Sequence, residues 1–333
     1  VLRHAQAAAA RECRIRQDTR AASTDTGRLS DFVRPRIRGP SRMLTSLVAA
    51  LFVALWSTGF IVARAIKPYA DPNLFLLARF AGTAALFAVV ALAARAPWPA
   101  RREWPRHLIA GALLQGVYLG ASYWAVAQGL NAGVMALLGA LQPLATAVLA
   151  VPLFNERLPG RGWLGMALGL VGVALVLAPK VSGGVAAASP GAAPAWLVVG
   201  VSVLSVGAIT AGSLYQKGKL AQSDLRTAVA VQNLGAALVA AVFVVLLHES
   251  RWIGAPALWV SLVWGVVFLS GGAVTMLMWM LRRGNAARAT SLLFLAPPLA
   301  ALQGYLLFDE TLAAIQLAGF VLALAGVVLA RQR

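Results

Sequence analysis

The sequence predicts an all-α integral membrane protein of ten transmembrane helices arranged as two inverted five-helix repeats. Three observations carry that prediction. The 333 residues are 60% hydrophobic and only 12% charged, roughly half the charged fraction of a soluble domain. Ten apolar stretches approach the ~20 residues needed to cross about 30 Å of hydrocarbon. The second half of the chain also echoes the first at a near-constant offset.

With a mean hydropathy of +0.76, the apolar surplus cannot be hidden in one globular core, so lipid must solvate much of the surface. The net charge of +18 would suit a nucleic-acid partner in a soluble protein. Here the arginines fall in gaps between apolar runs and form no stripe along a helix, so nucleic acid is excluded. Cys13 is the single cysteine, and His4, His107 and His248 lack ligand spacing. No disulfide framework, metal site or cofactor is therefore expected. Residues 1–42 are arginine-rich and contain no apolar run, unlike a signal peptide. They are expected to precede a true start at Met43, or else to form a disordered basic tail at the cytoplasmic surface.

From Met43 onward the predicted spans are 44–65, 72–94, 107–129, 131–154, 161–178, 195–216, 225–247, 256–281, 286–308 and 312–330. Turn chemistry separates them: Lys67-Pro68, the run Ala96-Pro97-Trp98-Pro99, and the segment 155–160. The longest separator, 181–194, is rich in Gly, Ala, Ser and Pro and reads as a linker between repeats at 43–180 and 195–333. Helices 3 and 4, and 8 and 9, have almost no gap between them. Lys and Arg number fourteen in the loops on one side and four on the other. The excess belongs inside, which places both termini in the cytoplasm.

The repeat is specific. At an offset of 154, Asn131 meets Asn285, Pro143 meets Pro297, Glu156 meets Glu310, Gly165 meets Gly319 and Gly172 meets Gly326. Trp124 and Trp279 match at 155, and Asp71 and Asp224 at 153. Five helices is an odd number, so the second unit must enter the bilayer upside down. That puts Glu156 and Glu310 at opposite faces.

Three stretches resemble the EamA-type units of the drug/metabolite transporter superfamily. They are Trp56-Ser57-Thr58-Gly59-Phe60 with Pro72 to Phe80; Leu141-Gln142-Pro143-Leu144 running to Asn155-Glu156-Arg157-Leu158; and the echo from Ala296-Pro297-Pro298 to Asp309-Glu310-Thr311-Leu312. The resemblance spans Met43 to Arg333. It implies a central cavity lined by helices 1, 3, 4, 6, 8 and 9, and small polar or amphipathic solutes such as amino acids or drugs, often moved outward. Helix 6 has no counterpart of Trp56, so the first-helix motif is carried over for the first half alone.

Candidate substrate-binding residues are the uncharged polar and aromatic side chains inside spans: Trp56, Ser57, Tyr118, Tyr123, Gln128, Gln142, Gln216 and Trp279, with Gln303 and Tyr215 behind them. Amides and hydroxyls orient a zwitterion while aromatic faces hold an apolar or cationic part; the bland reading is an interfacial aromatic belt. Pro143 and Pro297 interrupt the backbone of equivalent helices, as gating elements or static bends. Arg79 lies inside helix 2, and is read first as tying that helix to a neighbour and second as a cation for substrate carboxylates. Glu156 and Glu310 at helix ends are read as structural, each capping the helix that follows. Glycines at four-residue spacing, Gly116/Gly120, Gly165/Gly169 and Gly319/Ala323, are read as packing positions.

The expected function is alternating-access secondary transport of a small organic metabolite across the bacterial inner membrane, with export the expected direction. The alternative is a passive channel or facilitator. No enzyme is expected, because no convergent acid and base groups occur at membrane depth. The expected partners are a small-molecule substrate and the bilayer, with a homodimer left open.

Overall fold

A computed structural model describes residues 42–142, 145–146, 149, 160–181, 193–220, 223–273, 275–276 and 295–331. Residues Val1–Thr45 and Ser46–Arg333 form separate units; of the first, only 42–45 are among the described residues. Helix α1 (Arg42–Ile66) stops before Lys67-Pro68, and α2 (Pro72–Ala93) starts with proline in its first turn behind the N-cap Asp71. Proline is suited there because that backbone N–H would have no helical partner. Helix α3 (Arg101–Ala127) ends at Gly129, whose φ of 89° is open to glycine. The Leu130 N–H then reaches back to the Ala125 carbonyl at 3.1 Å, a left-handed cap. This turn divides α3 from α4 (Ala132–Ala140), where the sequence left almost no gap.

The remaining helices are α5 (Gly160–Val181), α6 (Ala195–Lys219), α7 (Leu225–Leu246), α8 (Pro256–Ala273), α9 (Ala296–Phe308) and α10 (Ala314–Arg331). Beside them the described residues show one isolated bridge, Ala70 with Trp252. Six helices, α1, α2, α3, α6, α7 and α8, are long and apolar enough to cross a membrane; α5 and α10 contain shorter apolar stretches, 160–176 and 314–326.

The duplication is written into the backbone. Arg95 (φ 48°) ends α2 and His248 (φ 53°) ends α7. Each is followed by the same back-bond, Ala96 N–H to Ala91 and Glu249 N–H to Val244, at 2.8 and 2.9 Å. Asp71 and Asp224 are the N-caps of the same two helices. Both α3 and α8 contain wide π turns, at Ala112–Val117 and Trp264–Ala273, a distortion that clusters at functional sites.

Packing follows membrane rules. Leu170, Val245 and Val321 are 70%, 72% and 69% exposed, while Thr83, Ser202, Ser205 and Thr210 are fully buried. Large apolar side chains are thus exposed at the surface while these hydroxyls lie inside. Ser202 and Thr210 donate to the carbonyls of Val198 and Val206 at 2.7 Å, which satisfies them within their own helix. Glycines let backbones touch. A Cβ at Gly172 would stand 2.7 Å from the Gly319 carbonyl oxygen, and one at Gly326 would stand 2.5 Å from that of Gly165. These contacts make α5 and α10 antiparallel. Gly111 and Gly235 likewise bring α3 against α7, at Gln232 and Leu108.

Candidate functional site

Polar side chains converge from α1, α3, α4, α6, α8 and α9. Ser57 on α1 is buried, donates to the Ala54 carbonyl at 2.9 Å and accepts from Gln303 Nε2 of α9 at 3.0 Å. Next to it, Thr58 accepts from the Trp264 indole N–H of α8 at 2.9 Å. Two residues further, Phe60 meets Tyr118 of α3 edge to face at 6.4 Å. The Tyr118 hydroxyl lies over Gly139 of α4, where an added Cβ would come within 3.0 Å of it. Gln142, just past the described end of α4, donates to Ser213 Oγ of α6 at 2.7 Å. Ser213 in turn donates to the Ile209 carbonyl at 2.7 Å. In each half, a serine of the first helix thus holds a glutamine of the other half's fourth helix.

Beside this cluster sits a buried cation. Arg79 is 7% exposed; one guanidinium nitrogen donates to the Tyr123 hydroxyl at 3.0 Å, and that hydroxyl donates to the Gly59 carbonyl at 2.9 Å. Arg79 therefore ties α2 to α3 and, through tyrosine, to the helix-1 motif. Its Nε has no partner among the described residues. Gly265 of α8 leaves room for its stem, as a Cβ there would stand 3.0 Å from Arg79 Cδ.

At one end of the bundle, Glu310 joins three elements. It accepts from Arg64 Nε of α1 at 3.0 Å and from the Ala132 N–H that opens α4 at 3.2 Å. Arg64 also lies over the Phe308 ring at 5.3 Å. The carboxylate caps α4, whereas sequence reading assigned it to the following helix; Gln316 supplies that cap, accepting from the Ala313 N–H at 3.0 Å.

A cavity of about 360 Å³ opens between the α1–α2 and α7–α8 loops, lined by Lys67, Asp71, Trp124, Gln128, Glu249 and Arg251 among others. Glu249 accepts from the N–H groups of Asn73 and Leu74 at 2.8 and 2.9 Å, capping α2 from the other half. Burial pushes its carboxyl above the ordinary glutamate value, opposed by hydrogen bonds from Asn73 and Leu74. Asp71 accepts from the Ser250 and Arg251 N–H groups at 3.0 and 2.9 Å. At the start of α7, hydrogen bonding by Arg226 holds Asp224 below the ordinary aspartate value.

Of the predicted residues, Ser57, Tyr118 and Gln142 lie in the six-helix cluster. Trp56 is 39% exposed and packs on Phe52 at 5.5 Å between ring centroids. Tyr123 belongs with Arg79. Gln128 accepts from the Ala193 N–H at 3.1 Å near the end cavity. Gln216 lies one turn beyond Ser213, its Oε1 buried and without a partner among the described residues. Pro297 is buried in the first turn of the described α9. Pro143, Glu156 and Trp279 lie outside the described residues. Sequence reading passed over Thr58 and Ser213 as site residues, although one belongs to the helix-1 motif and the other precedes Gln216 by a turn. Trp264 carried no sequence signal.

A model described as the EamA-like transporter family matches residues 43–178 and 196–332. The uncharacterized transporter sll0355 of Synechocystis sp. is 24% identical over 306 residues, covering 86% of this chain and 89% of that protein. A solved crystal structure, 21% identical, superposes with a TM-score of 0.59 over 87% of this chain and 97% of the other. At that identity the likeness shows the fold.

Proposed function

The chain belongs to the EamA-like transporter family, and on that premise we propose that it is a secondary transporter moving a small organic metabolite outward across the bacterial inner membrane. The observation that carries this reading is the polar cluster between the halves. Ser57 with Gln303, and Ser213 with Gln142, cross the boundary between repeats. The cluster draws on the six helices that the family resemblance assigns to the cavity.

The proposed architecture is ten spans in two inverted units. Its support is the α5–α10 seam. Gly165 and Gly319 are repeat equivalents, as are Gly172 and Gly326. Gly172 faces Gly319 while Gly326 faces Gly165. Such reciprocal contact between equivalent, antiparallel helices is what a two-fold axis in the membrane plane produces. Ser57 of α1 meets Gln303 of α9, and Arg64 meets Glu310 just past the end of α9, both 246 residues apart, so α1 and α9 run parallel, as odd-numbered spans must. With both termini cytoplasmic by the loop charges, the Arg64–Glu310–Ala132 contact lies at the outer end. It acts as the closure of that end when the units rock about the central cluster.

Counterflow in proteoliposomes, run across amino acids, nucleosides and cationic drugs, tests the reading. Saturable exchange in one class is the expected outcome. Silence in all three, or single-channel conductance of the passive alternative, overturns it.

A further inference from the structure

The two glutamines of the cluster are held in one amide orientation. Ser57 Oγ lies 2.9 Å from the Ala54 carbonyl, and Ser213 Oγ lies 2.7 Å from the Ile209 carbonyl. Two oxygens at that distance repel unless a proton lies between them, so each hydroxyl has given its single proton to its own helix. Each serine can then only accept, and what approaches it must be the amide nitrogen: Gln303 Nε2 at 3.0 Å and Gln142 Nε2 at 2.7 Å. The carbonyl end of Gln303 is therefore turned away from Ser57, and it is buried with no partner among the described residues. Gln216 Oε1, on the α6 face that carries Ser213, is also buried without one among those residues. A buried acceptor left unpaired is costly, and among the described residues no donor reaches that of Gln303.

We propose that Gln303 is a specificity-determining residue, with Ser57 as its positioning residue, and that its amide oxygen receives an N–H of the substrate, so that the solute is recognised through an amino group. The surroundings suit one. Phe60, three residues along α1 from Ser57, meets the Tyr118 ring of α3, and aromatic faces attract ammonium groups. The polar groups of the six-helix cluster named above are amides, hydroxyls and an indole, so the amine would be held by dipoles and ring faces. This inference rests on the transporter reading, since it assigns a ligand to the same cluster.

The test uses the purified full chain in detergent and three probes sharing one branched skeleton: leucine, isopentylamine (no carboxylate) and 4-methylpentanoate (no amine). Affinity is read by ligand-induced thermal shift. Wild type is expected to bind both amines more tightly than 4-methylpentanoate. Gln303→Leu is expected to weaken the amines by about 10- to 100-fold and to leave 4-methylpentanoate unchanged. Gln303→Glu, which keeps an acceptor, is expected to retain amine binding. Ser57→Ala frees the amide to flip and is expected to narrow the preference for amines. Equal binding of 4-methylpentanoate and isopentylamine by wild type overturns the proposal. So does equal loss of all probes in Gln303→Leu, or loss of amine binding in Gln303→Glu as complete as in Gln303→Leu. If no probe binds while counterflow succeeds with solutes lacking an N–H donor, the amino-group inference alone falls. If counterflow fails for every class, the transporter reading falls first.

Discussion

Replacing Gly319 by alanine tests the α5–α10 seam between the halves. The new Cβ would stand 2.5 Å from the Gly172 carbonyl oxygen and 2.9 Å from Leu175 Cβ. An ordinary C···O approach is about 3.3–3.6 Å, so α5 and α10 must separate by ~1 Å locally. A gap of that size forfeits a quarter to a half of each dispersion contact along the seam, and such overpacking typically costs about 1–3 kcal/mol. Alanine also returns about 0.8–1 kcal/mol of helix propensity. The net expectation is a loss of roughly 0–2 kcal/mol. Gly200 and Gly207 on α6 provide the control, because an added Cβ there meets nothing within 4 Å. Gly200→Ala should be neutral or stabilising. Reversible unfolding in mixed micelles measures each variant. Gly172→Ala combined with Gly319→Ala should be less than additive, since either one opens the same seam. The reasoning is refuted if Gly319→Ala is as benign as Gly200→Ala, or if the pair is fully additive.

Three other outcomes are expected. In a double-mutant cycle, Arg64→Gln with Glu310→Gln should show a coupling of about 0.5–1 kcal/mol in unfolding, because Arg64 is partly exposed, and Glu310→Ala should lose about 1 kcal/mol more for the α4 cap. Tyr123→Phe removes the hydroxyl between Arg79 and the Gly59 carbonyl at a buried site, and should cost about 1–3 kcal/mol in the same assay. The pH profile should carry two opposite signs, checked by unfolding from pH 3 to 8. Asp224, lowered in the folded state, contributes stability above its ordinary value of 3.8 that is lost as pH falls through the folded value. Glu249, raised above 4.5 and facing Asp71, leaves the fold more stable when protonated. Stability from that site should decline as pH rises past the ordinary value, and Glu249→Gln should flatten the decline.

Much of this fold was legible in the sequence. Helix bounds from hydropathy and turn residues lie within a few residues of α1, α2, α5, α6 and α7. The site was legible only in part. Ser57 and Gln142 were named, but each as a lone cavity candidate. Their partners Gln303 and Ser213 were passed over or ranked low, because a serine that bonds its own helix looks ordinary in a sequence. Glu249 lies in a loop, and nothing in its local sequence shows that it caps α2 from the opposite half.

What the sequence determined alone is the set of helices and their duplication. In lipid every backbone N–H and C=O must be satisfied within its own segment, so a span is a local property, readable from twenty residues and the caps around them. Gly129 and the paired Asp71 and Asp224 are equally local. What the tertiary structure decided is which side of each helix meets which neighbour. A helix apolar on all sides carries no stripe to mark its buried face. Contact there depends on how small residues and single hydroxyls complement a helix far along the chain. Ser57 and Gln303, 246 residues apart, meet because α1 and α9 pack in parallel, and no window on either helix alone contains that fact.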